Sequence, residues 1–283
     1  VGFAYLTSDL AWEATYAGRL VEETLFLQGW AQLHNRSSTA FEDAFIRLVA
    51  GDVRRLSGPG PVREARGMMA AEAQAAPAFV EEPAFEYHVY DLQRKVHLPE
   101  HASIQVPLRA ETALPVRRRL VFRGAPYSLR APAPPVRGRR PEIELEGVNG
   151  GGPLPPGLLR VYGEEAGGAV FLGEDRLGPT PDGAELQVRL GRAFDVEADR
   201  VQTDFRAVAG GRFDREVAFR IEIRNRKSEP ADVRLEEAVP GEWKLLESSI
   251  EPTATDAGSI RFDVTVPPGA STEVGYRVAI DQG

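Results

Sequence analysis

EVAFRIEIRN, residues 216–225, decides the fold of this chain. Val217, Phe219, Ile221 and Ile223 alternate with charged or small residues, and a period of two belongs to a strand with one buried face. The same rhythm recurs downstream. SIRFDVTVPPG places Ile260, Phe262, Val264 and Val266 on one face, and TEVGYRVAI does so with Val274, Tyr276, Val278 and Ile280. Between these runs stand RKSEP, VPGE, TDAG and PPGAS, whose Pro, Gly and Asp suit chain reversal. Six or seven such strands from residue 194 to the end predict an immunoglobulin-like sandwich without its disulfide. Trp243, just after a Pro-Gly turn, is expected in its core.

Upstream, GFAYLTSD, AWEATYAGRL, TLFLQGWAQLHN and FEDAFIRLVAG also read as strands, with Trp12, Tyr16, Leu25, Leu27 and Trp30 as core. At residues 52–82 the alternation stops. Gly-Pro pairs and an alanine-rich stretch replace β-branched residues there, which predicts a mobile excursion with Met68 and Met69 in loop or loose packing. Strands resume with FEYHVYDLQRKVHL, ASIQVPL and LPVRRRLVF, and again with LLRVYGE, GAVFLGE and AELQVRLG. The expected architecture is therefore all-β, with two sandwich-like units. The first is a β-rich domain over 1–193 and the second an immunoglobulin-like sandwich over 194–283. Two distant stretches, LQGWAQLHNRSSTAFEDAFIRL and AFRIEIRNRKSEPADVRL, share the order strand, Asn-Arg, polar turn, strand, a faint internal echo.

Composition narrows the function. The 283 residues carry a net charge of -8, which disfavours a nucleic-acid binder that must displace counterions from phosphates. There is no cysteine, so thiolate zinc and disulfides are excluded. No apolar run approaches the ~20 residues that a membrane-spanning helix needs. The chain opens at Val1 with no signal peptide, and a processed chain whose leader is missing is expected.

Four places could carry chemistry. HLPEH, residues 97–101, spells one form of a zinc-peptidase motif, which needs both histidines on one helical turn. Pro99 lies between them and the flanks alternate as strands, so His97, Glu100 and His101 are expected in a hairpin turn. FDVEADR aligns Asp195, Glu197 and Asp199 on one strand face, a possible seat for a hard cation or simply a solvated face. Glu174 and Asp175 in GEDRLGPTPDGAE could pair as acid and base, but the surrounding Gly and Pro read as tight turns. Finally, between Arg109 and Arg140 lie nine arginines and one acid, a local balance of +8. Within that span Arg117, Arg118, Arg119, Arg123, Arg137, Arg139 and Arg140 form a candidate anion patch, since guanidinium forks suit carboxylate and phosphate. The alternative is that RRR splits across both strand faces and RGRR is a solvated loop. No nucleophile elbow, phosphate-cradling loop or dinucleotide motif is present.

YLTSDLAWEATY, GWAQLHNRSSTAFEDAFIRLVAGDV, EYHVYDLQRKVHLPEHASIQVPL, LPPGLLRVY, FLGEDRLGPTPDGAELQVRLGRAFDVEADR and IRNRKSEPADVRLEEAVPGEWKLL follow one another along most of the chain. In that order they resemble a bacterial domain of unknown function, the C-terminal domain of mucoidy inhibitor A-like proteins. The resemblance implies an exported, periplasmic or envelope-associated β protein and no catalytic residues. The expectation is a non-enzymatic binding or scaffolding protein without cofactor. The sequence does not fix a partner; acidic polysaccharide or another envelope protein is the candidate, and nucleic acid is not expected. The rival expectations are a metal-dependent hydrolase on loop carboxylates or the His97-Glu100-His101 cluster, and a self-assembling structural β protein.

Overall fold

The structure is a computed structural model, and it describes residues 6–51, 79–125, 129–165, 168–208 and 213–281. Among these the regular elements are all strands. They run β1 (Leu10–Val21), β2 (Thr24–Asn35), β3 (Phe41–Ala44), β4 (Arg47–Ala50), β5 (Phe79–Ala84), β6 (Tyr87–Leu92) and β7 (Val96–Leu98). Next come β8 (Ala102–Arg123), β9 (Val136–Arg139), β10 (Glu142–Val148), β11 (Gly157–Glu165), β12 (Gly168–Leu177) and β13 (Glu185–Arg192). The last are β14 (Val196–Ala207), β15 (Arg215–Asn225), β16 (Ala231–Ala238), β17 (Glu242–Ser248), β18 (Ala254–Thr255), β19 (Ser259–Val266) and β20 (Ser271–Asp281).

The chain divides into two compact units, but not by one cut near residue 194. Unit 1 comprises Val1–Arg117 and Glu146–Val188, and unit 2 comprises Arg118–Leu145 and Arg189–Gly283. The reason is strand sharing. β8 and β10 each give one end to either unit, because a strand joins whichever neighbours satisfy its backbone hydrogen bonds. Of the predicted excursion, residues 52–78 lie outside the described residues. Residues 79–82 are corrected to strand: they open β5, which pairs with β6 and buries Phe79.

In unit 1, β12, β11, β1, β2 and the first part of β8 lie side by side, with β1 and β11 parallel and the other pairs antiparallel. Tyr16, Leu25 and Leu27 are buried as expected, whereas Trp12 and Trp30 are only half-buried. Smaller sheets, β3 with β7 and β4-β6-β5, complete the unit. In unit 2, β17-β20-β15-β14-β9 form one sheet, and the end of β8 with β16, β19 and β18 forms the other. Their facing sides share one core. Val217, Phe219, Ile221, Ile223, Val274, Tyr276, Val278 and Ile280 come from one sheet, and Phe122, Leu235, Ile260, Phe262 and Val266 from the other. Trp243 corrects the expectation of full burial. It sits half-buried on the edge strand β17, its indole N–H donating to Ala257 O at 3.2 Å.

The internal echo has a structural basis. In unit 1 the buried Asn35 donates from Nδ2 to the carbonyls of Thr39 at 2.8 Å, Leu98 at 3.4 Å and Pro99 at 2.8 Å, and its Oδ1 accepts from Ser37 N at 3.1 Å. In unit 2 the buried Asn225 donates to Glu229, Val266 and Pro267 at 2.8, 3.1 and 3.2 Å, and accepts from Lys227 N at 3.0 Å. The ladders agree as well. Leu10↔Asn35 matches Val196↔Asn225, and Phe41↔Leu98 matches Ala231↔Val266. One amide side chain thus satisfies two strand ends and fixes the register of each hairpin. The turns after β7 and β19 correspond too: His101 N and Gly269 N donate to Ser37 O and Lys227 O, both at 3.2 Å. Both residues have positive φ, 51° and 62°. The second histidine of HLPEH therefore occupies a turn position that glycine holds in unit 2.

Candidate functional site

An unusual buried polar site is built around Arg109 in unit 1. Alternation along β8 puts Val106 and Leu108 inward, which would send Arg109 outward. The ladder between β2 and β8 is instead irregular on both sides of Gly29↔Arg109, and Leu108 and Arg109 are consecutively buried. A bulge of this kind re-aims the next side chain. The turned-in Arg109 is only 8% exposed.

Its contacts are mostly to a glycine run. Nη1 donates to Gly152 O at 3.0 Å and to Asn149 Oδ1 at 3.4 Å, and Nη2 donates to Gly150 O. Asn149, itself buried, holds this loop through Gly152 O, Thr180 O and Pro181 O, while Gly152 N donates to Asp182 Oδ1 at 3.0 Å. Gly151 and Gly152 have φ of 88° and 103°, a conformation that suits glycine. Nε of Arg109 is buried with no acceptor among the described residues. No carboxylate among them forms an ion pair with the guanidinium. A buried cation whose direct hydrogen bonds all go to neutral acceptors is unusual, because its desolvation is not repaid by a contacting counter-charge. Burial pulls Arg109 below its ordinary range, and Tyr16, Asp182 and Tyr90 oppose that only in part.

Beside the guanidinium is a cavity of about 280 Å³, bounded by Tyr16, Tyr90, Thr112, Glu81, Phe79 and the loop from Gly151 to Pro155. The tyrosine hydroxyls anchor its wall, Tyr16 to Pro155 O at 2.7 Å and Tyr90 to Pro153 O at 3.2 Å. Burial raises both phenols well above their ordinary range, so they remain neutral donors. Gly29 provides room: a Cβ there would lie 2.9 Å from the Tyr16 ring and 3.4 Å from Arg109 Cβ. Six residues before Asn225, the matching position in unit 2 is Phe219. That ring stacks on Tyr276 at 5.6 Å and lies under Arg200, 3.7 Å from its guanidinium carbon, so the space is filled. The buried arginine of unit 2 also has a buried carboxylate, Glu237, at 2.7 Å.

The sites read from sequence fall elsewhere. His97 lies exposed on β7 with Nδ1 2.7 Å from Glu42 Oε2, and residues 99–101 form a turn. Asp195 precedes β14, a correction to the three-carboxylate strand face. Glu197 pairs with Arg226 at 3.3 Å, and Asp199 with Arg224 at 2.9 Å. Glu174 and Asp175 lie within β12 rather than in a turn. Successive strand residues point to opposite faces, and Glu174 pairs with Arg160 at 3.3 Å. Of the candidate anion patch, Arg118 meets Glu229 at 3.7 Å and Arg119 meets Asp263 at 3.6 Å. Arg123 is held by Glu142, Glu144 and Glu236 at 2.8, 2.7 and 3.0 Å. Arg139 lies 5.7 Å from the Phe122 ring and Arg140 4.7 Å from Phe194, while Arg117 and Arg137 are exposed. Arg118, Arg119 and Arg123 thus meet acids, and Arg139 and Arg140 lie against rings. Arg109 was counted only within the span's charge. What singles it out, the adjoining VNGGGPLPPG, carries a signal in its run of three consecutive glycines.

Among the described residues no helix is long and apolar enough to cross a membrane. Comparison with family models, curated proteins and solved structures finds no match to this chain.

Proposed function

We propose that this chain is a non-enzymatic binding module of the bacterial envelope, with an immunoglobulin-like second sandwich, and that its ligand presents an acid group to Arg109. The single observation carrying the ligand chemistry is the buried guanidinium with no carboxylate partner beside a preformed cavity. An entering carboxylate supplies the missing counter-charge. The tyrosine, Phe79 and proline faces offer apolar contact to the rest of the ligand. The envelope placement is supported by the sequence resemblance, and acidic polysaccharide is the ligand class that joins both lines of support.

The test is calorimetric titration of the whole chain with glucuronate and, separately, glucose. Saturable one-to-one binding of glucuronate with none of glucose is expected. A flat glucuronate titration at low salt would remove the acid-group reading.

A further inference from the structure

The cavity holds a second charge that the acid-group reading leaves unused. Glu81 on β5 lines it, opposite Tyr90 in the β5–β6 ladder. Its carboxylate is about one-third exposed, and Oε1 receives His88 Nδ1 at 2.7 Å. Among the described residues Oε2 has no hydrogen bond, and the carboxylate forms no ion pair with Arg109. Tyr90 stands next to both charges, its hydroxyl committed to Pro153 O. Opposite charges in one small cavity normally close on each other, since their attraction grows as water is excluded. Here the chain keeps them apart: Arg109 is turned toward the glycine run by the bulge, and Glu81 is carried by a separate hairpin.

We infer that the cavity takes a zwitterionic group, its acid end at Arg109 and a cationic amine at Glu81, as in an amino acid or an amino-sugar acid. This rests on the acid-group reading above and adds the amine. An amine at Glu81 meets a partly screened carboxylate, so the gain is modest, about three-fold in affinity.

The experiment titrates the whole chain with β-alanine, 4-aminobutyrate and 5-aminopentanoate, each matched against propionate, butyrate or pentanoate. At least one amino acid is expected to bind about three-fold tighter than its match, and Glu81→Gln to erase that difference. Equal affinities throughout, or a preference that survives Glu81→Gln, overturn the amine site and leave the acid-group reading standing. If none of the six binds, the amine site fails, and a glucuronate titration that is also flat removes the acid-group reading with it.

Discussion

Glu237→Ala is expected to destabilise unit 2 by about 3–5 kcal/mol, the usual consequence of removing one partner of a buried ion pair. Glu237 is fully buried, and its Oε2 accepts from Arg200 Nε at 2.7 Å and from the Tyr276 hydroxyl at 2.6 Å. Complete burial pushes its carboxyl up, against the pull of Arg200 and the Tyr276 hydrogen bond. Taking it away strips a buried guanidinium, 2% exposed, of its counter-charge in the middle of the core. Room for the carboxylate is reserved in the chain, since a Cβ on Gly124 would collide with Glu237 Oε1. Urea denaturation measures the loss. A companion variant, Arg200→Met with Glu237→Leu, separates charge from packing: removing both charges together is expected to cost far less than removing one. If Glu237→Ala loses less than about 1 kcal/mol, the pair is not the charge centre of this core.

Arg109→Met is expected to weaken glucuronate binding at least ~30-fold, because truncating one member of a desolvated charge pair typically costs about 2–5 kcal/mol. The same substitution should change folding stability by less than about 1 kcal/mol. It gives up hydrogen bonds to the Gly150 and Gly152 carbonyls but also relieves a cation that burial disfavours. The contrast with unit 2 is the physical point. There the buried arginine is matched by Glu237, whereas in unit 1 Arg109 forms no ion pair among the described residues and, on the proposed acid-group reading, awaits a ligand. A large loss of stability with unchanged glucuronate affinity would make Arg109 a support for the glycine run and nothing more.

The strands were legible because alternation survives wherever one face is buried. Val217, Phe219, Ile221 and Ile223 all point into the core, as do Val274, Tyr276, Val278 and Ile280. The Asn-Arg echo was legible as a pattern, but its meaning lies in carbonyls supplied from far along the chain, at Leu98 and Pro99 in one unit and Val266 and Pro267 in the other. Arg109 was hidden for a related reason. A bulge inverts the face of one residue without any local mark, so alternation alone would place it at the surface. The arginine-rich span drew attention by composition, yet charge density along a chain does not say which acids fold against it. Arg123 illustrates this: Glu142 and Glu144 are near in sequence, but Glu236 arrives from β16. Interleaved units were likewise invisible to a linear search for linkers, since β8 and β10 look continuous in sequence while their two ends belong to different units.

The central claim is that the Arg109 guanidinium is open to a ligand's acid group. The direct measurement is nitrogen-detected NMR of arginine Nε–H signals in the whole chain during titration with glucuronate. The Arg109 resonance is assigned by its disappearance in Arg109→Lys. The account predicts that this signal moves progressively and saturates with the calorimetric affinity, because a counter-charge arrives beside the guanidinium to which Nε belongs. A signal that stays fixed while glucuronate saturates the protein would place the ligand elsewhere and contradict the account.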